Sequence, residues 1–109
     1  MPLTEYLYDL SPEQRDRLRV GFEREKKTIV RFVVQYEAEI AGQWRPIVRY
    51  DSAHGFAHRD LIHPDRTVEK QPLPWMSFAV ALTYATQELK THWRRYRQAF
   101  EEEMRHGSR

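Results

Sequence analysis

The chain has 109 residues, one domain's worth, and can bury enough apolar surface to fold without covalent staples. It contains no cysteine, which excludes disulfides and thiolate metal sites and points to a reducing compartment, the cytoplasm. Eighteen basic residues face sixteen acidic ones, a net charge of +2, so nucleic-acid binding is permitted but depends on local clustering. No apolar run approaches the roughly 20 residues that span a bilayer, and the opening MPLTEYLYDL lacks the early basic residues of a secretory signal. No membrane partner is expected.

In chain order, residues 1–10 read as an arm or short helical turn carrying Leu3, Tyr6, Leu7 and Leu10. The stretch SPEQRDRLRVGFEREKK then predicts a helix over 12–25. Ser11 suits an N-cap, Pro12 the first helical position, and Gln14 completes a capping box. Leu18 and Phe22, four apart, would share its apolar stripe.

From Thr28 the period changes to two. Val30, Phe32, Val34, Tyr36, Ala38 and Ile40 point one way, and Arg31, Gln35, Glu37 and Glu39 the other, as in a strand with one wet face. Ala41-Gly42 turns the chain, so 28–40 and 43–51 form a hairpin, with Pro46 at an edge or bulge. A third strand follows over 56–63. The connector 64–74 holds three prolines, and Arg66–Lys70 adds a short fourth strand at most. The last third, 75–105, is one long helix with apolar residues from Trp75 to Met104 at steps of three or four. The expected fold is α+β: an N-terminal helix, a three- to four-stranded antiparallel meander, and a long C-terminal helix on one sheet face.

Residues 49–60, RYDSAHGFAHRD, concentrate the polar chemistry. A four-residue loop, Ser52–Gly55, would set Asp51 opposite Phe56 and Arg49 opposite His58, with Arg49, Asp51, His58 and Asp60 on one face. A three-residue loop with a bulge would instead set Arg49 against Arg59. Cross-strand charge pairing favours the first. Three functions compete for this hairpin. In the first, His58 as base and His54 as acid cleave RNA without a metal, while Arg49 and Arg59 clamp the phosphate. In the second, Asp51, His54, His58 and His63 bind a metal, although the spacing matches no familiar ligand motif. In the third, Asp51 caps an ordinary turn and the histidines decorate it.

A second cluster, Lys90, Arg94 and Arg97, lines one flank of the long helix and suits a phosphate backbone. Trp93, Tyr96, Phe100 and Met104 lie in the apolar stripe. If the helix overhangs the sheet, they would dock a partner or a second copy of the chain.

The pattern Arg49-Tyr50-Asp51, His54-Gly55, His58-Arg59-Asp60, followed by a proline-bearing connector and a long helix, resembles small prokaryotic α+β proteins of the TumE-type toxin class of toxin–antitoxin modules. The order of elements agrees over about 28–100, and the matching letters over 49–60. The resemblance implies action on or near RNA and an antitoxin-like protein partner. Within it Tyr50, Asp51, Gly55 and Asp60 would be structural members of the motif. No cofactor is implied.

Overall fold

The computed structural model describes residues 3–107. Six strands form one antiparallel sheet in simple sequence order: β1 (Leu3–Asp9), β2 (Asp16–Glu25), β3 (Thr28–Ile40), β4 (Gln43–Asp51), β5 (His58–Ile62) and β6 (Val68–Pro72). A single helix, α1 (Phe78–His106), follows and packs along β3 and β4.

This architecture corrects the expected one. There is no N-terminal helix over 12–25. Ser11 does act as a cap, but for one turn only: its Oγ accepts from the Arg15 amide at 3.1 Å. Gln14 then enters the left-handed region (φ 59°), which stops a helix. From Asp16 the chain alternates. Leu18, Val20 and Phe22 face α1, opposite Tyr36, Val34 and Phe32, while Arg17, Arg19 and Glu23 face away. A spacing of four fits either period, so Leu18 and Phe22 could not discriminate. Val20 between them does, because on a helix it would fall about 200° from Leu18. The arm, from Leu3 onward, is also a strand, and the connector contains a sixth. The sheet therefore has six strands rather than three or four. α1 begins at Phe78 rather than Trp75, because Ser77 caps it by accepting from the Val80 amide at 3.2 Å.

The helix also fits the sheet in length. Its 29 residues extend about 44 Å at 1.5 Å per residue. The 13 residues of β3 extend about 43 Å. Phe78 packs on Phe32 and Trp93 edge-on to Tyr36, so helix and strand run in the same direction. Ala81 and Ala85 allow close approach in the first half, while Trp93 and Phe100 fill the second. From Phe78 to Met104 the apolar stripe is covered by the sheet and does not project, while Trp75, ahead of the helix, stays outside it.

Two polar clusters tie α1 down. Tyr36, fully buried, donates its hydroxyl to Asp16 at 2.5 Å, and Arg97 donates to the same carboxylate oxygen at 2.8 Å. Arg97 also donates to the Arg15 and Glu39 carbonyls. Burial, with Asp16 beside it, pushes the Tyr36 phenol far above its usual range, so it stays a neutral donor. On the other flank of α1, His63 Nδ1 lies 2.8 Å from Glu103 and Nε2 2.5 Å from Glu69. A ring that meets carboxylates at both nitrogens can donate to both only as an imidazolium, so the pair favours the charged form. The Glu103 hydrogen bond is the main cause raising its pKa.

Each tie can be tested. Arg97→Met leaves Asp16 buried without its cation and is expected to cost about 3 kcal/mol, read as a lower urea midpoint at unchanged m. The His63 contribution is full below its unfolded pKa of about 6.5. It is lost as pH rises through the raised folded value, because the unfolded chain gives up that proton first. Urea midpoints for wild type relative to His63→Gln should therefore converge as pH rises above neutrality.

Candidate functional site

The sequence-derived hairpin site depends on register. β4 and β5 pair Arg49 with Asp60, Tyr50 with Arg59 and Asp51 with His58. Neither expected loop forms. Ser52 stays on β3, donating its amide to Phe32 O while its Oγ accepts from the Phe32 amide at 3.0 Å. The chain turns through Ala53–Gly55 with His54 at φ 68°. Buried Ala57 accepts from the Leu73 amide. The shift relative to the four-residue loop is an even number of residues, so Arg49, Asp51, His58 and Asp60 still share a face. That face looks away from α1.

His58 is 5% exposed, and its Nε2 lies 2.8 Å from Asp51 Oδ1. Its Nδ1 is also buried, with no hydrogen-bond partner among the described residues. The His54 ring, on the exposed turn, stands 6.2 Å from it and Phe56 6.0 Å, both centroid to centroid. The turn thus sits over His58, and neither ring nitrogen is open to a substrate. Arg49 donates Nε to Gln35 Oε1 at 2.7 Å. Arg59 lies on the other side of the sheet, under α1, and donates to the Tyr96 hydroxyl at 2.9 Å. The four residues expected to act together are split between two faces.

The face of Arg49 carries a network whose members read, from their alternation alone, as solvated. Glu37 accepts from Arg17 at 2.8 Å, Arg19 at 2.9 Å and Gln35 at 2.6 Å, and Gln35 in turn accepts from Arg49. The Arg17 guanidinium stacks 3.7 Å over Trp44. Burial alone would raise the Glu37 pKa, but the hydrogen bonds from Arg19, Arg17 and Gln35 outweigh it and hold the carboxyl below its ordinary value. Among the described residues, no three His, Asp or Glu side chains come together as a metal site. Of the residues considered for one, His63 belongs to the Glu69–Glu103 bridge.

The basic helix flank divides as well. Arg97 is consumed by Asp16 and two carbonyls. Lys90 sits 4.1 Å over the Tyr8 ring of β1, and Arg94 lies against Trp93.

What the structure does assemble is a cavity of about 630 Å³ on the opposite flank of α1, above β5 and β6. Glu88 organises it. Its Oε1 accepts from Tyr50 at 2.6 Å, and its Oε2 from Tyr96 at 2.9 Å, with His92 Nδ1 at 3.1 Å. Tyr96 relays the polarity, donating to Glu88 while accepting from Arg59. Burial comes first, then the Glu88 hydrogen bond and charge, in pushing the Tyr50 phenol far up. Burial also raises Tyr96, with Arg59 opposing and Glu88 adding. Both remain neutral donors, so neither is a nucleophile near neutrality. Burial works against the Arg59 cation, but its bond to Tyr96 and the surrounding oxygens outweigh that and raise its pKa. At the mouth stand Arg95, Tyr84 (46% exposed) and Trp75, which is 72% exposed.

Sequence reasoning did not single out Trp75, Tyr84, Glu88 or Arg95 as site residues. The available signal was Glu88-x3-His92 on the helix flank that Arg95 shares, and Trp75 just ahead of a Ser cap. The buried position of His58 predicts that His58→Ala lowers stability by about 1–3 kcal/mol, the cost of a lost buried polar contact and its void. His54→Ala should shift the urea midpoint far less than His58→Ala.

No helix among the described residues is long and apolar enough to cross a membrane. No curated protein and no solved structure matches the chain. One family model matches almost all of it, residues 1–106, and on that match the chain belongs to the family described as a domain of unknown function, DUF7718.

Proposed function

We propose that this protein is a nucleic-acid-associated binding module that takes single-stranded RNA at the α1–β5–β6 cavity. The observation that carries this reading is Trp75, an indole left 72% exposed at the cavity mouth beside two guanidiniums, Arg59 and Arg95. An uncovered indole is costly to leave in water and useful as a stacking platform for a base. Tyr84 offers a second ring. Arg59 is held rigid by Tyr96, so its remaining donors are pre-aimed, and Arg95 supplies a mobile charge for phosphate. Duplexes suit the site poorly, because their bases are already stacked and cannot enter a cavity between helix and sheet.

This reading keeps the RNA association and moves it away from the 49–60 hairpin. Metal-independent cleavage by His54 and His58 would require the turn to lift off His58 and would lack Arg59. Lys90 and Arg94, on the far flank of α1, add to the general field rather than to this site. The absence of cysteine supports a cytoplasmic setting.

Labelled oligoribonucleotides followed by fluorescence anisotropy test the proposal. Trp75→Ala should weaken single-strand binding about 5- to 150-fold, the value of one stacked base. Arg95→Ala should lower the slope of log affinity against log salt by about 0.7, one phosphate contact on a single strand. His54→Ala should bind like wild type. Wild-type affinity in Trp75→Ala, or equal affinity for duplex and single strand, would overturn it.

A further inference from the structure

The two edges of the sheet are finished differently. β6 carries Lys70 and Pro72, a basic side chain and a missing donor, which are usual protections of an open edge. β1 contains neither a lysine nor a proline. Its seven residues, Leu-Thr-Glu-Tyr-Leu-Tyr-Asp, hold unbroken register with β2. All are exposed, with Leu3, Tyr6, Leu7 and Tyr8 at 44–55%. The covered stripe of α1 offers no comparable surface. β1 is the less protected and more apolar edge of this fold.

We propose that β1 pairs antiparallel with β1 of a second copy of this chain, across a two-fold axis at Tyr6, joining two six-stranded sheets into one. In that register the residues on the α1 side, Thr4, Tyr6 and Tyr8, match one another, while on the far side each leucine stands opposite an acid. Tyr6 meets its own counterpart, Thr4 meets Tyr8, Glu5 meets Leu7 and Leu3 meets Asp9. Rings gather on the α1 side, and no like charges stand directly opposite. Asp9 lies directly opposite Arg17 on β2, and the Glu5 charge reaches Arg19. A second β1 brings matching rings to the Tyr6 and Tyr8 face. The pairing is isologous and closes at two copies, because each chain then has only its guarded β6 edge left.

Sedimentation velocity across the micromolar to millimolar range should show a monomer–dimer equilibrium for the wild-type chain. In the Tyr6→Lys/Leu7→Lys variant the dimer should be lost, with the circular dichroism spectrum retained. The chain has no cysteine, so a single introduced thiol is unique. Tyr6→Cys, at the axis, should oxidise to a covalent dimer far faster than Val68→Cys on β6, which is 43% exposed. A wild-type chain that stays monomeric throughout would overturn the proposal. So would a dimer that persists in the double lysine variant, or equal cross-linking at Tyr6 and Val68.

Discussion

A helix with its side chains is about 10 Å across, whereas six strands about 4.8 Å apart span some 24 Å, so α1 can roof only the middle of the sheet. It lies along β3 and β4, where the largest core residues collect: Tyr36, Tyr50, Ile47 and Leu89 are essentially buried. Everything to either side is left to other devices. On one flank, β1 and its tyrosines remain open, touched from α1 by Lys90 at Tyr8. On the other, the gap between α1 and the outer strands becomes the cavity walled by Tyr50, Arg59 and Tyr96. Both candidate surfaces of this protein come from one mismatch of widths.

The second sheet face has no roof at all, yet Gln35 and Glu37 are 9% and 6% exposed. Long side chains cover one another there. Arg17 and Arg19 converge on Glu37, Trp44 lies along Arg17, and Arg49 closes on Gln35. Each buried oxygen of the carboxylate has a donor, so burial is compensated. The network also crosses β2, β3 and β4, which fixes register on the face where apolar packing cannot.

Three elements were legible in the residues, although the fold they were assembled into was not. The alternation from Thr28 to Ile40, the Ala41-Gly42 turn and the long apolar repeat of the last third each have one clear period. The N-terminal third misled because its signals agreed locally and failed globally. Ser11, Pro12 and Gln14 are good helix-start chemistry, and they do build a turn. The path of the chain from Asp16 to Glu25 was decided instead by pairing with β3, a tertiary contact that capping residues do not encode. The hairpin at 49–60 misled for another reason: polar letters close in sequence alternate in direction, so Arg59 and His58 could not share a site on a strand. The cavity residues come from separate strands, the β6–α1 connection and the helix, and only the register and the placement of α1 bring them together.

The chain is made sheet first and helix last. Until α1 arrives, Leu18, Val34, Val48 and their neighbours form a bare apolar floor. Each strand can zip onto its predecessor as soon as it is synthesised, because every neighbour in the sheet is a neighbour in sequence. The nascent product is thus a well-paired but unroofed sheet, whose apolar floor stays exposed until α1 is made.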